Sequence, residues 1–241
     1  MASCSPASRR RCSLWLNATF SFDHALAVTT YSLLDLLQIT DRSFPTGGFV
    51  HSQGLEWLVK EEPVSLQDVL NLRLREQLSR FELVFVKEAY RAPAPELDER
   101  FHSMVLPRES REASGQVGRQ LLSNACDLFD KPSLWAARGE LPHAHHAIAY
   151  GVVCRALEVP TRVGASAYAF QAMRAQVSAA QRLTRLGQTE AQRILHRLKP
   201  AIEDAVEAAL ACPIEEALPF APLLDIAAMG HERSLVRLFV S

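Results

Sequence analysis

Glycine is scarce in this sequence: 10 in 241 residues. A nucleotide-binding α/β fold spends glycine on its phosphate loops, so that fold is disfavoured. Aromatic residues reach only 7%, while hydrophobic residues as a whole make up 48%. Alanine and leucine carry the difference, which favours helix over strand. A run of about 18 uninterrupted apolar residues is missing, so no membrane span is expected. No charge of one sign dominates: 26 basic residues face 27 acidic ones, which leaves no electrostatic footprint for nucleic acid. The five cysteines, Cys4, Cys12, Cys126, Cys154 and Cys212, are scattered, odd in number and without a Cys-x-x-Cys spacing. That argues against a disulfide framework or a cysteine zinc site and fits free thiols in a reducing compartment, the cytoplasm. Catalytic signatures are missing too. There is no Gly-x-Ser-x-Gly, His-Glu-x-x-His, phosphate loop or paired-carboxylate motif. Ser52 stands beside His51, but neighbours on a helix diverge by about 100° and cannot form a dyad. The chain reads as no enzyme, and no cofactor is expected.

Helical periodicity is what the sequence does have. The chain is organised around residues 36–60. An apolar run, Leu33, Leu34, Leu36, Leu37 and Ile39, is cut by Ser43-Phe44-Pro45-Thr46-Gly47-Gly48. Proline turns its predecessor away from helix and paired glycines admit positive φ. A second run, Phe49, Leu55, Trp57, Leu58 and Val59, follows, so the local reading is helix, tight turn, helix. Ser65 with Asp68 makes a capping-box-like start to a long helix. Its apolar face, from Leu66 to Ala89, recurs at three and four and ends near Pro93. Glu82, Lys87 and Glu88 read as its solvated face. Helices are expected at residues 96–105 and 108–128, the latter with alternating Arg and Glu as on an exposed surface. Residues 131–141 read as a loop or short turn. Residues 147–157 are apolar all round, hence a buried helix in which Cys154 fills core. Residues 161–183 and 188–210 complete the set, the last kinked or split at Pro200.

The expected fold is therefore all-α, a single domain of roughly eight to ten helices without a sheet. Residues 31–230 form the helical domain. Residues 1–30 stand apart as a flexible extension, a targeting segment or a mistaken start. Residues 231–241 form a tail in which apolar Leu235, Leu238 and Phe239 alternate with Arg233 and Arg237. Together with Asp225, Met229, His231 and Glu232, such an end closes its own core or lies in a partner groove. His143, His145 and His146 invite a metal reading. Ligands on one helix sit three or four apart; His143 and His146 do, and His145 points elsewhere. No nearby Asp, Glu or Cys completes a set, so no metal ligands are assigned.

The residues Leu37, Asp41, Ser43, Pro45, Gly47, Phe49, His51, Ser52, Gly54, Leu55 and Glu56 keep the wording and spacing of the UreF-type urease accessory proteins, which this chain resembles. Further matches are Leu106-Pro107-Arg108-Glu109-x-Arg111-Glu112-Ala113-Ser114, Val177-Ser178-Ala179-Ala180-x-Arg182-Leu183-x-x-Leu186-Gly187-Gln188-Thr189, and residues 220–232 running on through Arg237-Leu238-Phe239. The resemblance spans about residues 33–241. It makes Pro45, Gly47, Gly48, His51, Ser52, Gly54 and Glu56 a structural motif and aligns a family histidine with His145. It implies an all-helical homodimer that binds a UreD/UreH-type accessory protein, recruits the UreG-type GTPase to apo-urease and modulates GTP-dependent nickel insertion. The tail residues Asp225, Met229, His231, Glu232, Arg233, Arg237, Leu238 and Phe239 are then partner-binding. Two alternatives stay open: a direct nickel carrier using His143, His145 and His146, and a factor that activates the GTPase.

Overall fold

The structure is a computed structural model and describes residues 28–48, 52–61, 64–91, 95–232 and 238–239. It is all helix: α1 (Thr30–Thr40), α2 (Leu55–Glu61), α3 (Leu66–Leu72), a π-helical segment (Arg73–Glu82), α4 (Leu83–Ala89), α5 (Pro95–Met104), α6 (Arg108–Phe129), α7 (Pro132–Glu140), α8 (His146–Ala156), α9 (Thr161–Leu183), α10 (Gln188–Ala211), a 3-10 turn (Ile214–Glu216) and α11 (Pro222–Glu232). With α3, the π segment and α4 taken as one rod, that makes 10 helices and no strand among the described residues.

The main core forms around α8. Its residues from Ala147 to Cys154 are buried without exception, as an all-round apolar helix must be. Small residues let its neighbours approach. A methyl group on Gly151 would press on the Val86 carbonyl and the Ala89 methyl of α4, and one on Gly118 of α6 would collide with the Ala144 carbonyl just before α8. Phe81, Phe85 and Phe101 meet between the rod and α5, with ring centroids 4.6–5.1 Å apart. A second, smaller apolar cluster joins α2, α3, the end of α9 and α11, through Leu55, Leu58, Val69, Ala180 and Leu224.

Several expectations change here. Residues 132–140 are not a loop but helix α7, with Pro132 at its first turn and Leu134 and Ala137 buried three apart. α10 runs unbroken through Pro200; Pro200 and His196, whose carbonyl loses its partner, both face solvent, so water can satisfy it. Ser65 occupies the N-cap of α3 without a side-chain hydrogen bond. The largest change lies in the rod. Its middle closes i→i+5 rather than i→i+4, which turns α4 about its axis relative to a uniform α-helix. Lys87, read as solvated, is instead buried and donates to the Cys212 carbonyl. Glu88 lies against it, 3.3 Å away and only 13% exposed, and Glu82 accepts from the Tyr168 hydroxyl at 2.7 Å in the interior.

Candidate partner-binding site

The turn that opens the chain's motif sits at the end of α1. Asp41 accepts from the Ser43 N–H at 2.7 Å, a local turn of the Asx type. Gly47 has φ +75, where a side chain is strained, but Gly48 does not, and a Cβ there would meet nothing closer than 3.8 Å. One glycine of the pair carries the conformational demand. The Pro45 carbonyl accepts from Asn124 of α6 at 2.9 Å. Phe49 and His51 lie outside the described residues. Ser52 is fully buried, its carbonyl 3.4 Å from the Gln176 amide.

Gly54 explains the close approach of the motif to α11. It has φ +85, and a Cβ there would lie 2.8 Å from the Ala228 nitrogen. Gly230 returns the favour: a Cβ on it would meet the Trp57 ring at 2.6 Å. Side-chain-free contact on both sides seats α2 on α11 and brings Glu56 under the end of that helix.

Glu56 is buried, with 1% of its surface exposed. Its carboxylate accepts from Lys60 Nζ at 2.7 Å, from the Leu238 N–H at 3.0 Å and the Phe239 N–H at 3.1 Å, and meets His231 Nε2 at 3.1 Å. Burial alone would raise its pKa; the bonds from Lys60, Leu238, His231 and Phe239 outweigh burial and lower it to about 2. His231 is fully buried, and its Nδ1 lies 3.2 Å from Glu109 of α6. An imidazolium donates to both carboxylates at once, whereas a neutral ring satisfies one. Phe239 is 4% exposed, inside the second apolar cluster, with the Arg182 guanidinium 4.3 Å from its ring centroid. Leu238, next to it, is 69% exposed.

α11 has two faces. Leu224, Ala227, Ala228 and His231 are buried. Leu223, Ile226 and Met229, with Phe220 just before them, are exposed, an apolar stripe at three-residue spacing that nothing in this chain covers among the described residues. Asp225 is half-buried and borders a cavity of about 380 Å³ that Arg73, Gln77, Glu82 and His146 also line. Burial raises the Asp225 pKa against the pull of Arg73. Glu232 is half-buried and sits in the field of Arg108. Arg233, Leu235 and Arg237 lie outside the described residues.

The histidines are arranged differently from the expectation. His143 and His145 come together with His102 of α5: His102 Nδ1 is 3.0 Å from His145 Nε2, and the His102 and His143 rings stack at 3.7 Å. His146 turns away toward the cavity, 5.1 Å from the Tyr168 ring. The reason lies in the backbone. Ala144 takes φ +51, which folds residues 143–145 around Asp98, and the Asp98 carboxylate accepts from all three N–H groups at 2.7–3.0 Å. Burial lowers the pKa of both His145 and His146 to about 4. Among the described residues no three of His, Cys, Asp and Glu are placed to hold a metal ion together, and no helix is long and apolar enough to cross a membrane.

Sequence reasoning missed Glu109 and Asp98. Glu109 lay within an alternating-charge run that reads as surface. Asp98 carried no signal, since its partners are backbone groups 45–47 residues away.

A sequence model of the UreF family matches residues 61–199. The urease accessory protein UreF of Bacillus sp. strain TB-90 is 31% identical over 224 residues, covering 87% of this chain and 99% of the relative. That of Arthrobacter sp. strain FB24 is 32% identical over 217 residues, 86% and 96%. That of Rhodopseudomonas palustris strain BisA53 is 31% identical over 232 residues, 90% and 95%.

Proposed function

We propose a function that proceeds from one fact: this chain belongs to the UreF family of urease accessory proteins. It is a maturation factor. In our reading it is a non-catalytic scaffold that, with a UreD/UreH-type protein, recruits the UreG-type GTPase to apo-urease and modulates GTP-dependent nickel insertion, in the cytoplasm. Nickel is cargo of the assembly in this reading rather than a resident of this chain.

The observation that carries the reading is the two-faced build of α11. An exposed apolar stripe is costly in water, and burying it against a partner returns roughly 25 cal/mol per Å². Here the stripe stands on a helix whose other face is locked by Glu56, His231 and Glu109, so it is presented in a fixed orientation. The UreD/UreH-type protein takes this face. Leu238 is exposed as well, and in this reading Arg237, the residue before, contacts the GTPase; arginine suits such a role because its planar fork bonds carboxylates in pairs. A second exposed stripe, Tyr31, Leu34 and Leu37 on α1, suits a homodimer contact. The carrier reading is disfavoured, because His146 parts from His143 and His145.

Co-purification of the three proteins tests this. Ile226→Glu with Met229→Glu is expected to weaken retention of the UreD/UreH-type protein at least about tenfold, with helix content unchanged. Arg237→Ala is expected to keep that protein and lose the GTPase. Normal retention of both by these variants would sink the reading.

A further inference from the structure

Three imidazoles meet at the end of α5, and the partner reading gives none of them a task. His102 Nδ1 stands 3.0 Å from His145 Nε2. The His102 ring also lies flat against His143, with centroids 3.7 Å apart and planes 12° apart. Two ring nitrogens at that separation have room for one hydrogen between them. One ring donates and the other accepts, and two imidazoliums would turn N–H against N–H. Charge on both rings of the stack would add a face-to-face repulsion. The surroundings offer little relief. Asp98 is already engaged by three backbone N–H groups. Glu99 reaches His143 Nε2 at 3.2 Å but is 61% exposed, so its pull is screened. Arg111 acts on His102 and Arg119 on His145 with further positive charge.

The cluster stands behind a wall of the cavity. Phe101, Met104, Val105, Leu106 and Pro107, on either side of His102 and beyond it, line the space of about 380 Å³. We propose that His102, His143 and His145 form an acid-sensitive latch on that wall. Neutral, the His102–His145 bond holds the last turn of α5 and the connector to α6 against the cavity. Protonated, the cluster expels His102, and the wall swings open on Asp98. His102 is the moving part because it is half-buried, whereas His145 is fully buried. Asp98 keeps its backbone bonds, and Phe101 keeps its stack on Phe81. Burial, with the charge of His143 and Arg111, holds the His102 pKa below its ordinary value, and burial holds His145 at about 4. Opening hydrates both rings, which then take protons near the usual value of about 6.5. The open form therefore gains as pH falls from there toward about 4, and the closed form is favoured above that window.

Hydrogen exchange of the full-length chain tests the latch, each rate divided by the intrinsic rate at its pH. Between about pH 7 and about pH 5 the amides of residues 102–104 are expected to speed up at least about tenfold while those of α10 stay protected. Two substitutions address the cause. His102→Gln can still donate an N–H to His145 but takes no proton; it is expected to keep the protection seen at neutral pH and to lose the acid step. His143→Phe keeps a flat ring on His102 without a charge and is expected to shrink the step. His143 is partly exposed, so this variant keeps the test alive if His102→Gln fails to fold. Equal exchange at both pH values in the wild-type chain would overturn the proposal, as would a step of wild-type size in either variant. Faster exchange of His102→Gln at both pH values alike would reduce His102 to packing and overturn it too.

Discussion

Two buried carboxylates in this molecule perform the same task in opposite settings. Asp98 accepts three backbone N–H groups from residues 143–145, at the entrance to the central helix. Glu56 accepts two from residues 238 and 239, at the chain end. The loop on Asp98 is pinned on its far side by Gly118, against which the Ala144 carbonyl lies, and by Arg119, which donates to the His143 carbonyl at 3.0 Å. Ala144 and His145 are buried there. The segment on Glu56 is half outside, with Leu238 69% exposed beside the buried Phe239. The same bond therefore serves as permanent framework in one place and as a releasable fastening in the other, and what decides is whether the freed N–H groups can be hydrated.

Substitution tests that difference most sharply. Asp98→Asn is expected to destabilise the whole fold by about 3 kcal/mol or more, because buried N–H groups are left facing an amide; the urea midpoint should fall with the slope unchanged. Glu56→Gln should cost less globally, about 1–2 kcal/mol, because its two N–H groups escape to water. If Glu56→Gln proves the more damaging of the two, the contrast is wrong. Gly118→Ala and Gly54→Ala repeat the test by crowding. The first forces a methyl into the Ala144 carbonyl and the second into the backbone of α11, and overpacking costs about 1–3 kcal/mol. Gly118→Ala should lower the melting temperature of the whole domain, whereas Gly54→Ala should chiefly loosen α11 and the chain end.

Acid should reverse the order. Burial holds His145 at about 4, below its usual value, amid His102, His143, Asp98 and Arg119. The unfolded chain then binds a proton between roughly pH 6.5 and 4 that the folded chain refuses, so stability falls as pH drops through that window; His146 adds to the effect. Glu56 is held at about 2, and its contribution, complete above roughly pH 4.5, is lost only as pH falls from there toward 2. In a titration followed by hydrogen exchange, α8 should lose protection before the Phe239 amide does. The reverse sequence would show that the two sites are not independent. The smallest effect belongs to a third carboxylate, Asp41. It bonds the Ser43 N–H in full contact with solvent, and Asp41→Ala should shift the melting temperature barely measurably.

Much of this was legible beforehand. The helices stand where apolar residues recur at three and four, and the all-round apolar segment 147–157 is the buried centre. The motif Gly54-Leu55-Glu56 was visible as a pattern, but the sequence offered no reason for it, because the reason is α11 lying 170 residues on. Glu109 and Lys87 were misread for a shared cause: a charge on a helix counts as surface until a distant element is known to cover it. Helix α7 was missed because its apolar spacing is brief, although Pro132 at its start and Leu134, Ala137 and Leu141 beyond were a usable signal. The tail was foreseen as a partner surface; Phe239 faces inward in this structure and Leu238 outward.

The widened turns between Arg73 and Glu82 have a consequence for how this chain tolerates insertions and deletions. Deleting one residue from an ordinary α-helix swings everything after it by about 100°. Here each i→i+5 turn holds one residue more than an α-turn requires. A one-residue deletion inside this stretch can therefore be absorbed by a turn closing to i→i+4, whereas the same deletion in α8 would misdirect every side chain beyond it. Length variation among relatives is thus expected to concentrate in this part of the rod, inside an element where a gap would ordinarily be fatal.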